Sequence, residues 1–297
     1  MPKIDAALIQ QIVRRLSVPG RFLYGFLKRY GDQVHYPEHP TLVQDRYNLA
    51  QFEISNYREY IQRSIYYLGY WEIRETRLLR KILRPGDTFV DVGANIGWFS
   101  ILAAQLVQEQ GQVLAFEPSE VLCGLIRRNI EVNGLKNIQL EKLALSNRSG
   151  RAQLIFPSAI NQGAATLRPV DSETSALPSE EIETIRFDEY DWPQQPDSIR
   201  LLKIDTEGAE PLVLEGMANL IQAQICEFIL FEISRELGSE RLPLLSLFPS
   251  YDLFRITLFS LIPINGSRTE LPDQTFNVLA CRKGHSDVAR IRSWWTL

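Results

Sequence analysis

The sequence predicts an open, mostly parallel α/β sheet with helices on both faces, and three stretches predict it. Thr88 to Val92 is an apolar strand that runs into a glycine turn, Gly93 to Gly97, and then into a helix beginning at Trp98. Val113 to Phe116 is a second short apolar strand; it ends in Glu117 and is stopped by Pro118, which has no N–H to give to a sheet ladder. Leu201 to Ile204 is a third, followed by an acidic turn at Asp205 to Gly208 and the start of another helix. Strand, turn and helix in repetition is the pattern of a parallel sheet, whose ligands sit at the carboxyl edge of its strands.

Ahead of these strands, residues 1–75 read as a helical and irregular extension; an α/β domain over 76–285 and a tail over 286–297 follow. Ile4, Ala7, Leu8, Ile12 and Leu16 recur at helical spacing until Pro19-Gly20 breaks the pattern. Phe22, Leu23, Phe26 and Leu27 restart it, with Arg21, Lys28 and Arg29 on other faces. A basic amphipathic piece of this kind can lie on a membrane surface; packing on its own domain, or on a second subunit of a homo-oligomer, is favoured here. Gly31 to Leu49 reads as irregular or extended, and Pro37 and Pro40 keep His35 and His39 off the helix they would need to share a metal. Gln51 to Leu83 reads as two helices broken near Gly69, rich in aromatics (Tyr57, Tyr60, Tyr66, Tyr67, Tyr70, Trp71) that suit packing on a sheet. Pro85-Gly86-Asp87 then turns the chain into the first strand.

Beyond that strand, Trp98 to Leu106 forms a helix, Ser119 caps another that ends near Asn133-Gly134, and Ile138 to Leu143 is a third parallel strand. Arg151 to Phe156 and Ile182 to Phe187 can pair as a hairpin around a polar excursion, Ser158 to Glu181. Leu214 to Ile221 continues the helix after Gly208, and Ile225 to Ile233 is a strand with Glu232 near its tip. Leu242 to Leu247 is a short helix. Tyr251 to Thr257 and Phe276 to Cys281 are the last strands, joined by a loop over Pro263 to Asp273.

Composition narrows the function. The chain has 297 residues, 45% hydrophobic and 23% charged, the balance of an ordinary globular protein. A net charge of −4 argues against a nucleic-acid partner. Cys123, Cys226 and Cys281 are scattered and odd in number, which suits reduced thiols and a cytoplasmic setting rather than a disulfide frame or a zinc site. No apolar run approaches membrane-spanning length, and Met1 to Ser17 lacks a signal-peptide core and cleavage site.

The turn chemistry narrows it further. Asp91, Gly93 and Gly97 give D-x-G-x-x-x-G, not the G-x-G-x-x-G of dinucleotide sites. An acid at the strand tip repels a pyrophosphate, which counts against an NAD-linked oxidoreductase. It suits a cation such as the amino-acid end of S-adenosyl-L-methionine (SAM), lying against Gly93 where a Cβ would intrude. Glu117, 26 residues after Asp91, is placed to accept hydrogen bonds from ribose hydroxyls.

At Asp91–Gly97, Phe116–Pro118 and Lys203–Glu210 the sequence resembles the FkbM-type family of SAM-dependent methyltransferases, which carries these three motifs in this order. The resemblance runs from about Tyr67 to Cys281. It implies a Rossmann-like class I methyltransferase with a seven-stranded sheet, binding SAM and a small-molecule or glycan acceptor, most simply by O-methylation of a sugar or natural-product hydroxyl. It places Asp91, Gly93, Ala94, Asn95, Gly97, Glu117 and Pro118 around the cofactor, with Ala144 and Leu145 against the adenine. The segment before the first strand covers the cofactor in the family, so Tyr67, Tyr70 and Glu72 are candidate contacts. Asp205 is the first choice for orienting or deprotonating the acceptor; Glu207 and Glu210 follow, with Lys203 as charge partner. The polar excursion reads as an acceptor lid, with Asn161 and Thr166 as contacts. A divalent ion between Asp205 and Glu232 is the less favoured alternative, and a non-catalytic SAM-fold scaffold is the competing reading.

Overall fold

The computed structural model describes residues 4–16, 20–156, 166–168, 178–192, 196–257, 260–264 and 272–292. Its centre is an eight-stranded sheet. The strands are β1 (Thr88–Val92), β2 (Gln112–Phe116), β3 (Ile138–Glu141), β4 (Ile199–Ile204), β5 (Cys226–Ile233), β6 (Tyr251–Ile256), β7 (Leu261–Pro263) and β8 (Phe276–Arg282). Their order is β7-β6-β8-β5-β4-β1-β2-β3. The run β3-β2-β1-β4-β5 is parallel, β8 is antiparallel to both β5 and β6, and β7 is antiparallel to β6. The sequence predicts seven strands. The extra one, β7, has three residues, too few to show an alternation, and is hairpinned onto the edge strand.

Seven helices matter below: α1 (Ala6–Arg15), α2 (Gly20–Tyr30), α3 (Tyr60–Leu68), α4 (Ile73–Ile82), α5 (Trp98–Val107), α6 (Glu120–Val132) and α7 (Glu210–Gly216). The strands are apolar on both faces because both are covered. Phe89, Leu201, Phe228 and Leu230 point into a core shared with α4, α5 and the residues before them. Val90, Val92, Leu202 and Phe231 point the other way, against α7 and the short helix Arg241–Leu245.

Residues before β1 share the first of these cores, which also takes in Ile9, Val13, Val43, Phe52, Ile54 and Tyr66. Two expectations change here. Gln51–Ile54 is a strand paired antiparallel with Thr41–Gln44, so the first of the two expected helices starts only at Tyr60, and part of the segment expected to be irregular is ordered sheet. The cause is the Asp45 carboxylate, which accepts N–H bonds from Tyr47 (2.6 Å), Leu49 (2.7 Å) and Ala50 (2.6 Å) and closes the hairpin. The hairpin docks on α6 through side-chain amides. Asn129 Oδ1 accepts from the Glu53 N–H at 2.8 Å, and its Nδ2 donates to the Ile96 carbonyl at 2.9 Å.

The Arg151–Phe156 and Ile182–Phe187 hairpin is present as Gly150–Ile155 with Ser179–Ile185. It forms a separate sheet that meets Ala144–Leu145. All three cysteines are buried and free. Among the described residues no helix is long and apolar enough to cross a membrane.

At the amino edge of the large sheet lies a buried ion network that sequence reading leaves unassigned. Arg200, at the start of β4, donates to Glu227 on β5, to Asp287 and to the Ile82 carbonyl (3.2 Å), and lies over the Phe228 ring. His285 joins it, with Nε2 2.8 Å from Glu227.

Candidate active site

The turn after β1 is held by its neighbour strand. The N–H groups of Gly93 and Ala94 both donate to the Phe116 carbonyl, each at 3.0 Å. Asn95 (φ 56°) and Gly97 (φ 83°) then take left-handed conformations that swing the chain into α5. This bend aims the Asn95 N–H at Glu117 Oε2 (2.8 Å), while Ser119 N–H reaches Oε1 (3.0 Å). Glu117 is therefore fixed at the tip of β2. Burial pushes its carboxyl up to about 7, against the pull of those two N–H groups.

A cleft opens here; it is lined by Gly93, Asn95, Glu117, Pro118, Ala144, Leu145, Asp205 and Glu207, among others. These expected residues do converge. Ala94 and Gly97 shape the turn instead. Ala94 is buried with Ala115 and Ile126, and a Cβ on Gly97 would come within 3.3 Å of Ile126.

Asp91 lies beneath the turn and is buried. Ser100 Oγ donates to one carboxylate oxygen at 2.6 Å; the other, Oδ1, has no hydrogen-bond partner among the described residues. A buried carboxylate oxygen left unpaired is costly, and it suits a donor supplied by a ligand.

Along the carboxyl edge the register sets a row of polar side chains on one face. Asp91 pairs with Lys203, and Lys203 with Leu230 on β5; Glu232 pairs with Asn277 on β8. Lys203 is buried under the Phe99 ring (4.4 Å), and its Nζ donates to Asp205 Oδ2 at 2.8 Å. Burial alone would lower its pKa; Asp205, Glu72 and Asp91 outweigh that and raise it, so it stays charged.

A second, larger cleft adjoins, lined by Glu72, Glu75, Glu232, Thr275 and Asn277, among others. Glu75 accepts from Asn277 Nδ2 at 2.7 Å. Glu72, at φ 38° ahead of α4, lines this cleft rather than the first. Its carboxyl is pushed well up by burial and then by Asp205, with Glu75 and Glu232 adding to it. Glu232 is raised to about 7 by burial, then by Asp205, Glu210 and Glu207.

Several expected roles are corrected. Glu210 is fully buried, and its carboxylate accepts from Thr206 N–H (2.7 Å), Thr206 Oγ1 (3.1 Å) and Gly208 N–H (3.0 Å). It closes the turn that carries Glu207 and Gly208 at positive φ, so it is not free to meet an acceptor. Glu207 is exposed at the rim of the first cleft. Tyr67 is buried in the core, edge-on to Tyr66, and Tyr70 sits beside Arg46; neither lines either of these two clefts. Thr166 pairs with Ile155 as a strand residue, and its side chain lies outside the described residues, as does Asn161. Among the described residues no group of three or more His, Cys, Asp or Glu side chains is placed to hold a metal ion. Sequence reading missed Glu75, Phe99 and Asn277. The bonded pair Glu75 and Asn277 is 202 residues apart, and no local motif announces it.

Residues 91–255, more than half of the chain, match the sequence model of the methyltransferase FkbM domain. The chain belongs to the FkbM methyltransferase family. The 31-O-demethyl-FK506 methyltransferase FkbM of Streptomyces tacrolimicus is 33% identical over 162 residues, covering 46% of this chain and 62% of that protein. Methyltransferase sdnD of Sordaria araneosa is 32% identical over 162 residues, covering 45% and 61%. The match thus spans about three fifths of the length of these relatives. Among solved structures, methyltransferase FkbM from Methylobacillus flagellatus KT is 15% identical, covering 73% of this chain and 52% of that one, with a TM-score of 0.40. M. jannaschii TYW2 in complex with AdoMet is 14% identical, covering 84% and 88%, with a TM-score of 0.41.

SAM is the cofactor that goes with the FkbM family. The residues present suit it: Glu117, in the lining of the first cleft, for hydroxyls, and beneath that lining the unpaired buried oxygen of Asp91, which itself lines neither cleft, for an ammonium.

Proposed function

We propose that this FkbM-family chain transfers the methyl group of SAM to a hydroxyl of a sugar, glycan or natural product. The relative from Streptomyces tacrolimicus carries O-methylation in its name, which supports oxygen as the target. The observation that carries the reading is the junction of the two clefts. Asp205 lines the first and, held by Lys203, bears electrostatically on Glu72 and Glu232 in the second.

Bound in the first cleft, SAM supplies an electrophilic methyl group on a positively charged sulfur. Glu117 holds the ribose through the lone pairs its two N–H bonds leave free, and Asp91 faces the amino-acid end. Asp205 orients the acceptor hydroxyl; holding two reactants in near-attack geometry contributes roughly 7–11 kcal/mol. Lys203, buried and charged, fixes the Asp205 rotamer and offsets part of the repulsion among the carboxylates.

Asp205→Asn keeps the shape of this group and removes its charge. The expected result is S-adenosylhomocysteine (SAH) affinity within a few fold of the parent and methyl transfer to a panel of hydroxyl acceptors lowered about 100-fold. SAH binding with no methylation of any acceptor by the parent protein would favour a scaffolding role instead.

Ribose recognition by an ionised Glu117 also predicts a pH dependence. Its carboxyl sits at about 7 in the free protein, and hydrogen bonds donated by the ribose favour the charged form. SAH affinity therefore falls by about tenfold as pH drops from 8 to 6. Glu117→Gln removes most of that dependence, as read by calorimetry at both pH values.

A further inference from the structure

The carboxylates at the junction of the clefts are not equivalent. Asp91 lies under the turn and is bonded to Ser100, Glu210 is consumed by the N–H groups of its own turn, Glu75 is held by Asn277, and Asp205 is paired with Lys203. Glu207, with no hydrogen bond or ion pair among the described residues, is exposed at the rim of the first cleft. Glu72 and Glu232 line the second cleft, and no hydrogen bond or ion pair to either carboxylate is formed among the described residues.

Strand register separates these two. Ile204 pairs with Phe231, and the next residue on each chain, Asp205 and Glu232, follows directly at the tips of the two neighbouring strands. Asp205 is also close enough to Glu232 to raise its carboxyl, second only to burial. Glu232 therefore stands beside the group that orients the acceptor, on a rigid strand between β4 and β8. Glu72 instead sits on the connection into α4, in a left-handed conformation.

We propose that Glu232 is the general base of the reaction: it takes the proton of the acceptor hydroxyl that Asp205 orients. This rests on the hydroxyl-methylation reading above. As the acceptor O–H bond breaks, its proton passes to a Glu232 oxygen and the oxygen's electron pair forms the new bond to the methyl carbon. The bond from that carbon to sulfur breaks with its pair left on sulfur, which goes from a sulfonium to a neutral thioether. The groups that bear on Glu232 are Asp205, Glu207, Glu210 and Lys203 from β4 and its turn, Glu72 from the α4 side and Asn277 from β8; Arg74 and Glu75 from α4 and Arg255 from β6 line the same cleft. Its carboxyl at about 7 suits a base at neutral pH, ionised often enough to act and basic enough to accept.

The test compares the parent with Glu232→Gln and Glu232→Asp. Carbon-13 NMR of carboxyl-labelled, SAH-loaded protein is expected to show a carboxyl titrating near neutral pH that is missing from E232Q. Methyl transfer from radiolabelled SAM to methyl glycosides of common hexoses is expected to lose about 10²–10⁴-fold in kcat in E232Q with KM little changed. The acidic limb of the pH–rate profile should vanish, and E232D should recover part of the rate. SAH affinity should stay within threefold in both variants. A carboxyl at this position that titrates in the ordinary glutamate range overturns the proposal, as does an E232Q enzyme that keeps its rate and its acidic limb. Failure of the parent to bind SAH would overturn the methyltransferase reading instead, and the NMR titration of the unloaded protein still reports on Glu232.

Discussion

Replacing Gly93 by alanine is expected to remove cofactor binding and most of the stability of the sheet. Gly93 has φ 80°, a region that costs any L-residue energy. The larger penalty is steric: a Cβ there would stand 2.0 Å from the carbonyl oxygen of Asp205 and 2.9 Å from its carbon. Both atoms are backbone, and that backbone is held, because the Asp205 N–H donates to the Val92 carbonyl at 3.0 Å. Relieving the clash means prising the tip of β4 from the tip of β1. That would move Asp205 off Lys203 and spoil the turn whose Asn95 N–H holds Glu117. Disruptions of this kind cost about 4 kcal/mol or more. Thermal unfolding and SAH calorimetry on Gly93→Ala should show a large fall in Tm and no measurable heat of binding. A protein that melts near the parent and binds SAH would show that β1 and β4 are not packed as described.

Arg200→Met is the second large effect, at the opposite edge of the sheet. The substitution leaves the half-buried Glu227 and the buried Asp287 without the guanidinium that both contact. Breaking a buried pair from one side costs about 3–5 kcal/mol, which for a chain of this size lowers Tm by roughly 10 °C. The loss should depend on pH. Burial alone would raise the Glu227 carboxyl, but Arg200 and His285 outweigh it and hold it low; for Asp287, Arg200 and Arg290 do the same. Carboxyls depressed in the folded state stabilise it above their unfolded range, and that stability is lost as pH falls through the folded values. The gap between parent and R200M is therefore full at pH 7 and shrinks below about pH 4. Asp87, raised by burial, opposes this, but it stands 3.6 Å from Arg200 and accepts no comparable bond from it. Urea denaturation at pH 7 and at about pH 3 reads the difference.

The parallel half of the fold is plain in the sequence because each strand there is a short apolar run punctuated by a turn. Thr88–Val92 begins and ends where its residues say, and Ser119 caps α6, with its Oγ accepting from the Leu122 N–H. The convergence of Gly93, Asn95, Glu117 and Pro118 on one cleft is equally legible, since they belong to two local motifs that topology alone brings together. What is not legible depends on contacts distant in sequence. The motif shows a glycine at position 93 but not that Asp205, rather than a ligand, fills the space of its Cβ. Gly216 looks like an ordinary helix residue, yet a Cβ on it would stand 1.9 Å from the Ser146 carbonyl. Three acids within six positions read as one catalytic cluster, although Glu210 serves its own turn and Asp205 is engaged by a lysine. His285 carries no motif; its place is set by Glu227, 58 residues earlier. The Gln51–Ile54 strand was hidden because its partner, Thr41–Gln44, is as short as itself.

The central claim is that SAM lies along the carboxyl edge from Glu117 to Asp91, with its reactive end turned toward Asp205 and Glu232. A crystal structure with SAH tests it most directly. The expected result is a ribose within hydrogen-bond distance of the Glu117 carboxylate, adenine against Ala144 and Leu145, and the sulfur nearer to Asp205 than to Glu117. SAH bound elsewhere, or in the first cleft with its sulfur turned away from β4, would contradict it.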